Sequence, residues 1–217
     1  MKTEFPARAL AERLNAALKE PALAELAVSA EQQKQLIDLL GLLYKWNGAY
    51  NLTSVRDPYD MFVRHILDSI AVSPYLHGQN IIDVGTGPGL PGLPLAIIHP
   101  DKNFVLLDSL GKRISFIRQA AHQLGLKNVT AVQSRVEAYK PEQGFDTVLS
   151  RAFASLADML SWCHHLPSAN GRFVALKGQL TEQELAQIQP PFQRIGTHAL
   201  AIPGLEAARH VVEIIKE

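Results

Sequence analysis

The sequence predicts an α/β fold in which a helical N-terminal extension precedes a mostly parallel sheet buried on both faces. Three observations lead there. Apolar residues recur at helical spacing up to about Leu76. From Asn80 the texture changes to short apolar runs alternating with helical segments. The last two runs then follow each other with no helix between them.

Helices come first. Leu10, Leu14 and Leu18 fall on one face of a helix that ends at Glu20-Pro21, since proline cannot extend the hydrogen-bond ladder. Ser29-Ala30-Glu31-Gln32 is a capping-box pattern, with Gln32 three residues after a Ser cap. The helix it opens carries Leu36, Leu39, Leu40 and Leu43 on its buried stripe and runs toward Trp46. Asp57-Pro58 marks another start, a cap residue followed by proline at the first helical position. That helix, or a pair of them, is expected to continue through Phe62, Ile66 and Ile70 to about Leu76.

Strand-like runs then occupy Ile81–Val84, Phe104–Leu107, Val129–Val132, Phe145–Leu149 and Phe173–Leu176. Helical segments lie between them, roughly over 92–99, 111–124, 155–165 and 181–189, with Gly125 ending the second. Such alternation implies right-handed crossovers and a parallel sheet covered on both sides. Runs over 192–202 and 208–215, separated by Pro203-Gly204, are most simply an antiparallel terminal hairpin at the sheet edge. The expected organisation is an extension over 1–78 and an α/β domain of seven strands over 79–217, with no internal repeat.

Bulk composition narrows the function classes. At 217 residues, 47% hydrophobic and 19% charged, the chain has the makeup of a soluble globular protein with one substantial core. Twenty-one basic and 21 acidic side chains cancel, which argues against a bulk polycation but leaves local patches open. Cys163 is the single cysteine, too few for a disulfide or a thiolate zinc site, and no metal is expected. Met1 to Pro6 lacks the apolar core of a signal peptide, and no stretch is long enough to span a membrane. A cytoplasmic location with no membrane partner is the expectation.

The chemistry concentrates after the first strand. Ile81-Ile82-Asp83-Val84 runs directly into Gly85-Thr86-Gly87-Pro88-Gly89-Leu90-Pro91-Gly92, where glycines let the backbone turn sharply and approach a ligand closely. Asp108 ends the second strand, beside the crevice of a doubly wound sheet, where a carboxylate can accept hydrogen bonds from both hydroxyls of a ribose. A nucleoside-containing cofactor follows. Gly87-Pro88-Gly89-Leu90-Pro91-Gly92 matches the dinucleotide pattern literally, with Asp108 at a suitable spacing. Two facts weigh against that frame. The first glycine after the strand is Gly85, which puts Leu90 where a third glycine belongs. Pro88, Pro91 and Pro94 also remove backbone N–H groups that a pyrophosphate needs. The frame Asp83-x-Gly85-x-Gly87-x-Gly89 resembles the first motif of S-adenosylmethionine-dependent methyltransferases, whose ligand carries an ammonium that Asp83 can attract directly or through water. It is preferred.

Further candidates border the same crevice. Val136 and Glu137, after the third strand, are placed to meet the adenine, although a carboxylate in a first helical turn is also favoured by the dipole. Arg151 and Phe153, after the fourth strand, lie where the methyl would meet its acceptor. Arg151 can bind a carboxylate or phosphate and Phe153 can stack on a base. Lys177 ends the fifth strand on the same rim. For Arg151 and Lys177 an exposed ion-pairing role is the plainer alternative. No Asn/Asp-Pro-Pro-aromatic turn for exocyclic amines and no placed cysteine for pyrimidine C5 chemistry accompanies them. A ring nitrogen such as guanine N7 attacks the sulfonium methyl with its own lone pair, so no catalytic base is assigned.

RNA contact is expected from two stretches. Ser109 to Val136 carries Lys112, Arg113, Arg118, Lys127 and Arg135 and no acid. Arg56, Arg64 and His65 accompany Tyr44, Trp46, Tyr50 and Tyr59 in the extension. Both could equally be solvated or packing residues. Cys163-His164-His165 is unconvincing as a metal site, because adjacent helical residues point apart.

Taken together, these segments resemble one family, the bacterial 16S rRNA guanine-N7 methyltransferases also called glucose-inhibited division protein B. The resemblance is densest in Tyr44-Lys45-Trp46-Asn47, Asn51-Leu52-Thr53-Ser54, Arg64-His65-Ile66-Leu67-Asp68-Ser69 and Asp83 through Gly92. It continues in Leu107-Asp108-Ser109, Ser134-Arg135-Val136-Glu137, Ser150-Arg151-Ala152-Phe153 and Ala175-Leu176-Lys177-Gly178. It implies a Rossmann-like class I methyltransferase fold, S-adenosylmethionine as cofactor, and methyl transfer to N7 of guanine 527 in the decoding-region loop of 16S rRNA. It also implies cofactor contacts at Gly85, Leu90, Val136, Glu137 and Arg151, and places Asn51, Arg64 and His65 near the cofactor or the RNA. The partner is then 16S rRNA or the small ribosomal subunit, met by a monomer.

Overall fold

The computed structural model describes residues 4–217, so the first half of the Met1–Pro6 start read above lies outside the described residues. Helix α1 (Ala7–Ala17) buries Leu10 and Leu14 on one face. Helix α2 (Ala30–Tyr50) opens on the capping box, with the Ser29 hydroxyl accepting from Gln32 N and the Gln32 side chain from Ser29 N. Its stripe of Leu36, Leu39, Leu40 and Leu43 is at most 1% exposed. Asp57 caps the short α3 (Pro58–Met61) by accepting from the amides of Tyr59 and Asp60. The chain then continues as a π-helical segment, Phe62–Leu67, before one turn of α4 (Asp68–Ile70). The helical reading to about Leu76 thus holds in outline, but its middle is wound in a register that apolar spacing does not reveal.

Seven strands follow: β1 (Asn80–Val84), β2 (Asn103–Asp108), β3 (Val129–Gln133), β4 (Phe145–Ser150), β5 (Pro167–Lys177), β6 (Phe192–Ala199) and β7 (His210–Lys216). Between them lie α5 (Gly92–Ile98), α6 (Gly111–Gln123), α7 (Leu156–Cys163) and α8 (Glu182–Leu185). Gly125, at φ +67°, closes α6, its N–H bonding His122 O while Leu126 N reaches back to Ala121 O. The sheet order is β3-β2-β1-β4-β5-β7-β6. Strands β1 to β5 pair in parallel, and β7 is antiparallel to both β5 and β6. The terminal pair is a hairpin in which the last strand inserts beside β5 and β6 becomes the edge. Strand β5 begins six residues before the apolar run Phe173–Leu176 that reveals it. Helix α8 is shorter than 181–189, because Ile188 N closes only onto Leu185 O, in a tighter turn ahead of Pro190-Pro191.

Strand alternation feeds two cores. Ile81, Phe104, Leu106, Leu149 and Val174 face the side covered by α5, α6 and the N-terminal helices, sharing one cluster with Leu10, Leu14, Leu36 and Leu40. Ile82, Val84, Val148, Phe173 and Ile214 face α7, against Leu156, Met159 and Leu160. Because β1, β2 and β4 are covered on both sides, they read as continuous apolar runs. Chain order reverses between β1 and β4, so their carboxyl ends form the crevice where an open α/β sheet binds ligands.

Candidate active site

The glycine turn wraps around a buried carboxylate. Gly85, Gly87 and Gly89 all have positive φ, at +67°, +62° and +90°. Asp83, 1% exposed, lies behind the turn, its Oδ2 accepting from the Thr86 hydroxyl at 2.7 Å and from Gly92 N at 2.9 Å. Its Oδ1 has no partner among the described residues. Burial pushes the Asp83 carboxyl up to about 7, against the lowering effect of Thr86, Arg151 and Gly92. The amino end of α5 is thereby capped from within, and Leu90 and Leu93 beside it are buried. A pyrophosphate has no helix terminus to meet here, which disfavours the dinucleotide frame on geometry as the prolines disfavour it in sequence.

Asp108 is the hinge of the cleft itself. Its Oδ1 accepts from Leu110 N at 2.9 Å, and its Oδ2 from Gly87 N at 2.9 Å and Arg113 Nη1 at 3.2 Å. A carboxylate offers about four acceptor positions, so one remains on Oδ1. Asp108 lines a cavity of about 400 Å³ together with Gly85, Val136, Glu137 and Phe153, a size within the ~300–1,000 Å³ range of small-molecule sites. Trp162 of α7, 44% exposed, also lines it and packs edge-on to Phe153 at 6.4 Å. Sequence reasoning missed this residue, since nothing in a single helix says which face meets a cleft.

Other expected residues lie elsewhere. Arg151 and Lys177 border a second cavity of about 200 Å³, where the end of β4 meets the end of β5 and the start of β7. Arg151 pairs with Asp68 at 3.6 Å, and Asp68 in turn receives Arg209 Nε at 3.2 and 3.3 Å. Lys177 is tied down, its Nζ donating to Ala154 O at 2.8 Å and pairing with Glu184. Gly87, Gly89 and Leu90 shape the turn without lining either cavity. Arg64 is exposed on the π-helical segment, and Lys112 reaches Tyr50 O, joining α6 to the end of α2. Trp46 packs edge-on against Phe116 of α6 at 5.5 Å. Arg118, Lys127 and Arg135 are exposed.

The segment from Asn47 to His65 forms a brace. Asn47, 2% exposed, accepts from Thr53 N at 2.8 Å and donates to Val55 O at 3.0 Å. The Thr53 hydroxyl meets His65 Nε2 at 2.9 Å. Asn51 sits at φ +50° as the C-cap of α2 and accepts from Arg56. Buried, and near Arg151, His65 is pushed down to about 4, mainly by desolvation. Asn47→Ala leaves the Thr53 N–H without its acceptor, and is expected to cost about 2 kcal/mol in urea unfolding; a loss under about 0.5 kcal/mol would contradict the brace.

A family model described as rRNA small subunit methyltransferase G matches residues 32–212. The chain belongs to the rRNA small subunit methyltransferase G family. A relative from Aeromonas hydrophila, named ribosomal RNA small subunit methyltransferase G, is 65% identical over 202 residues, 93% of each chain. One of the same name from Shewanella amazonensis is 63% identical over 207 residues, 95% of this chain and 99% of its own. Among solved structures, magnesium protoporphyrin IX methyltransferase from Synechocystis with bound SAM superposes with TM-score 0.60 at 15% identity, over 83% of this chain and 98% of that one. A SAM-dependent methyltransferase from Aquifex aeolicus gives 0.56 at 13%, over 76% and 97%. The chain is thus a member of an rRNA methyltransferase family, and it has the fold of these two methyltransferases.

Proposed function

We propose that this protein transfers a methyl group from S-adenosylmethionine to N7 of guanine 527 in 16S rRNA, presented as rRNA or as the small ribosomal subunit. The observation that carries the reading is the 400 Å³ cleft at the β1–β4 switch point, with Asp108 on its wall and a free acceptor position on Oδ1. Family membership supplies the rRNA; guanine N7 is what the resemblance implies, and the missing devices for amine and C5 chemistry are compatible with it. Cys163 fits that exclusion, being buried, with its thiol pushed up to about 12 by burial.

In this reading Asp108 holds the ribose hydroxyls, and Val136 and Glu137 border the adenine between Leu110 and the Phe153–Trp162 pair. Asp83 lines neither cavity, so it acts on the ammonium from behind the turn rather than from the cleft wall. Gly85 admits the ligand backbone, and Gly87, Gly89 and Leu90 hold the turn in shape. Arg151 stands between the cofactor and the acceptor. Asn51, Arg64, His65, Lys112, Arg113, Phe153 and Lys177 support or contact the RNA side, His65 through the Thr53 hydroxyl and Lys177 by fixing the backbone at Ala154. Bound S-adenosylmethionine supplies a sulfonium methyl that a purine N7 lone pair takes in line, with no proton to remove. The protein's part is therefore alignment and exclusion of water.

The test is incubation of the protein with labelled S-adenosylmethionine and small subunits lacking the modification, followed by mapping of the base. One label on N7 of guanine 527 is expected, and label on another base or atom overturns the assignment. Asp108→Ala removes the ribose acceptor and frees the Gly87 and Leu110 amides. It is expected to weaken S-adenosylmethionine binding by about tenfold to hundredfold in calorimetry, the worth of a hydrogen bond to a charged group. Wild-type affinity in that variant would remove Asp108 from the site.

A further inference from the structure

We propose that the second cavity, between Arg151 and Arg209, receives the target guanine, and that Asp68 reads its N1–H and 2-amino edge. This rests on the reading of the main cleft as the cofactor site and of guanine N7 as the acceptor. The cavity holds about 200 Å³, the room of six or seven waters at ~30 Å³ each. That suits one heterocyclic base without its sugar and phosphate.

Position argues for the acceptor. Arg151 lines this cavity while the next residues, Ala152 and Phe153, line the cofactor cleft. Pro91 lines it while Gly85, at the other end of the same turn, lines the cleft. The two spaces therefore flank a common wall at the switch point. Val72, Pro91 and Leu200 give this cavity apolar surface for a ring face.

Chemistry argues for guanine. Asp68 is only 12% exposed, and its two oxygens share a single Arg209 N–H at 3.2 and 3.3 Å. Its approach to Arg151, at 3.6 Å, is too long for a good hydrogen bond. Of about four acceptor positions on a carboxylate, enough remain to take two parallel N–H donors. Guanine presents that pair at N1 and its 2-amino group; adenine presents a bare lone pair and a C–H. Around the guanine edge the order runs 2-amino, N1, O6, N7. Along the wall the order runs Asp68, then Arg151, then the cofactor cleft. A base whose N1 edge meets Asp68 thus offers O6 to the Arg151 guanidinium and N7 to the cleft. Asp68 was quoted in sequence only as part of Arg64–Ser69, and Arg209 lies 141 residues away from it.

The experiment uses small subunits rebuilt with ligated rRNA carrying guanosine or inosine at the target. Inosine keeps N1, O6 and N7 and lacks only the 2-amino group. With wild-type protein, inosine is expected to lower kcat/KM at least about tenfold, as for a lost hydrogen bond to a charged group. Asp68→Asn is expected to lose about a hundredfold on guanosine, its amide nitrogen facing a donor, and to treat the two substrates within about twofold. Its S-adenosylmethionine affinity in calorimetry should stay within about threefold of wild type. Equal use of guanosine and inosine by wild type overturns the proposal, and this arm does not depend on the variant folding. Undiminished discrimination in Asp68→Asn overturns it as well. Failure of wild type to bind S-adenosylmethionine is a different result, which overturns the cleft reading and this proposal with it.

Discussion

Gly85→Asp is expected to abolish S-adenosylmethionine binding in a protein that still folds. Gly85 has φ +67°, and a Cβ built there lies 2.5 Å from the Cβ of Ala152. Real carbon atoms do not approach so closely, so the loop after β4 must move, and that loop is one wall of the cleft. Left-handed backbone costs a non-glycine residue about 1–2 kcal/mol, aspartate being among the more tolerant. That strain sits at a strand end rather than in either core, so the cooperative melt survives. The added carboxylate enters a space already bordered by Asp108 and Glu137. Titration calorimetry should show no heat at a cofactor concentration about a hundredfold above the wild-type Kd, an affinity loss above ~2.7 kcal/mol. Measurable binding within tenfold of wild type would mean that the ligand does not pass over Gly85.

The sequence carried the fold where local physics and tertiary demand coincide. Strands β1, β2 and β4 are buried on both faces, so their apolar runs announce them. Ser29 and Asp57 cap the helices they were expected to cap, since capping needs only neighbours in sequence. The first half of β5 was illegible because Pro167 to Arg172 carries no apolar run, and its ion pair, Arg172 with Glu213, joins strands 41 residues apart. The π-helical register of Phe62–Leu67 was illegible too, because apolar spacing fits α and π winding alike over one or two turns. At the site, Asp108 was legible as an acid ending the strand beside the glycine turn. Asp68 with Arg209, and Phe153 with Trp162, are constellations made by the topology, joining helices and strands whose spacing encodes nothing. Asn47 lay inside a recognised motif, yet its role as a brace needs the fold of the loop it holds.

Two buried titratable groups should set opposite pH slopes of stability that nearly cancel in the wild type. Asp83 holds its proton to about 7 when folded, against 3.8 ordinarily. Between those values the folded state binds the extra proton, so stability falls as pH rises, by about 4 kcal/mol at 1.36 kcal/mol per unit. His65 titrates near 4 when folded, against 6.5 ordinarily. There the unfolded state binds the extra proton, so stability is full above 6.5 and falls by about 3 kcal/mol as pH drops toward 4. Removing either group should expose the other. In urea unfolding from pH 4.5 to 7.5, Asp83→Asn is expected to gain stability relative to wild type as pH rises, and His65→Gln to lose it. Both variants keep hydrogen-bonding capacity at Thr86 and Thr53, the neighbours that matter. All other carboxylates and histidines are common to the three proteins, so the differences between curves isolate these two groups. Curves that run parallel across the range would mean that neither side chain is held in the charge state its burial demands, and the closed turn behind the cleft would have to be open to water.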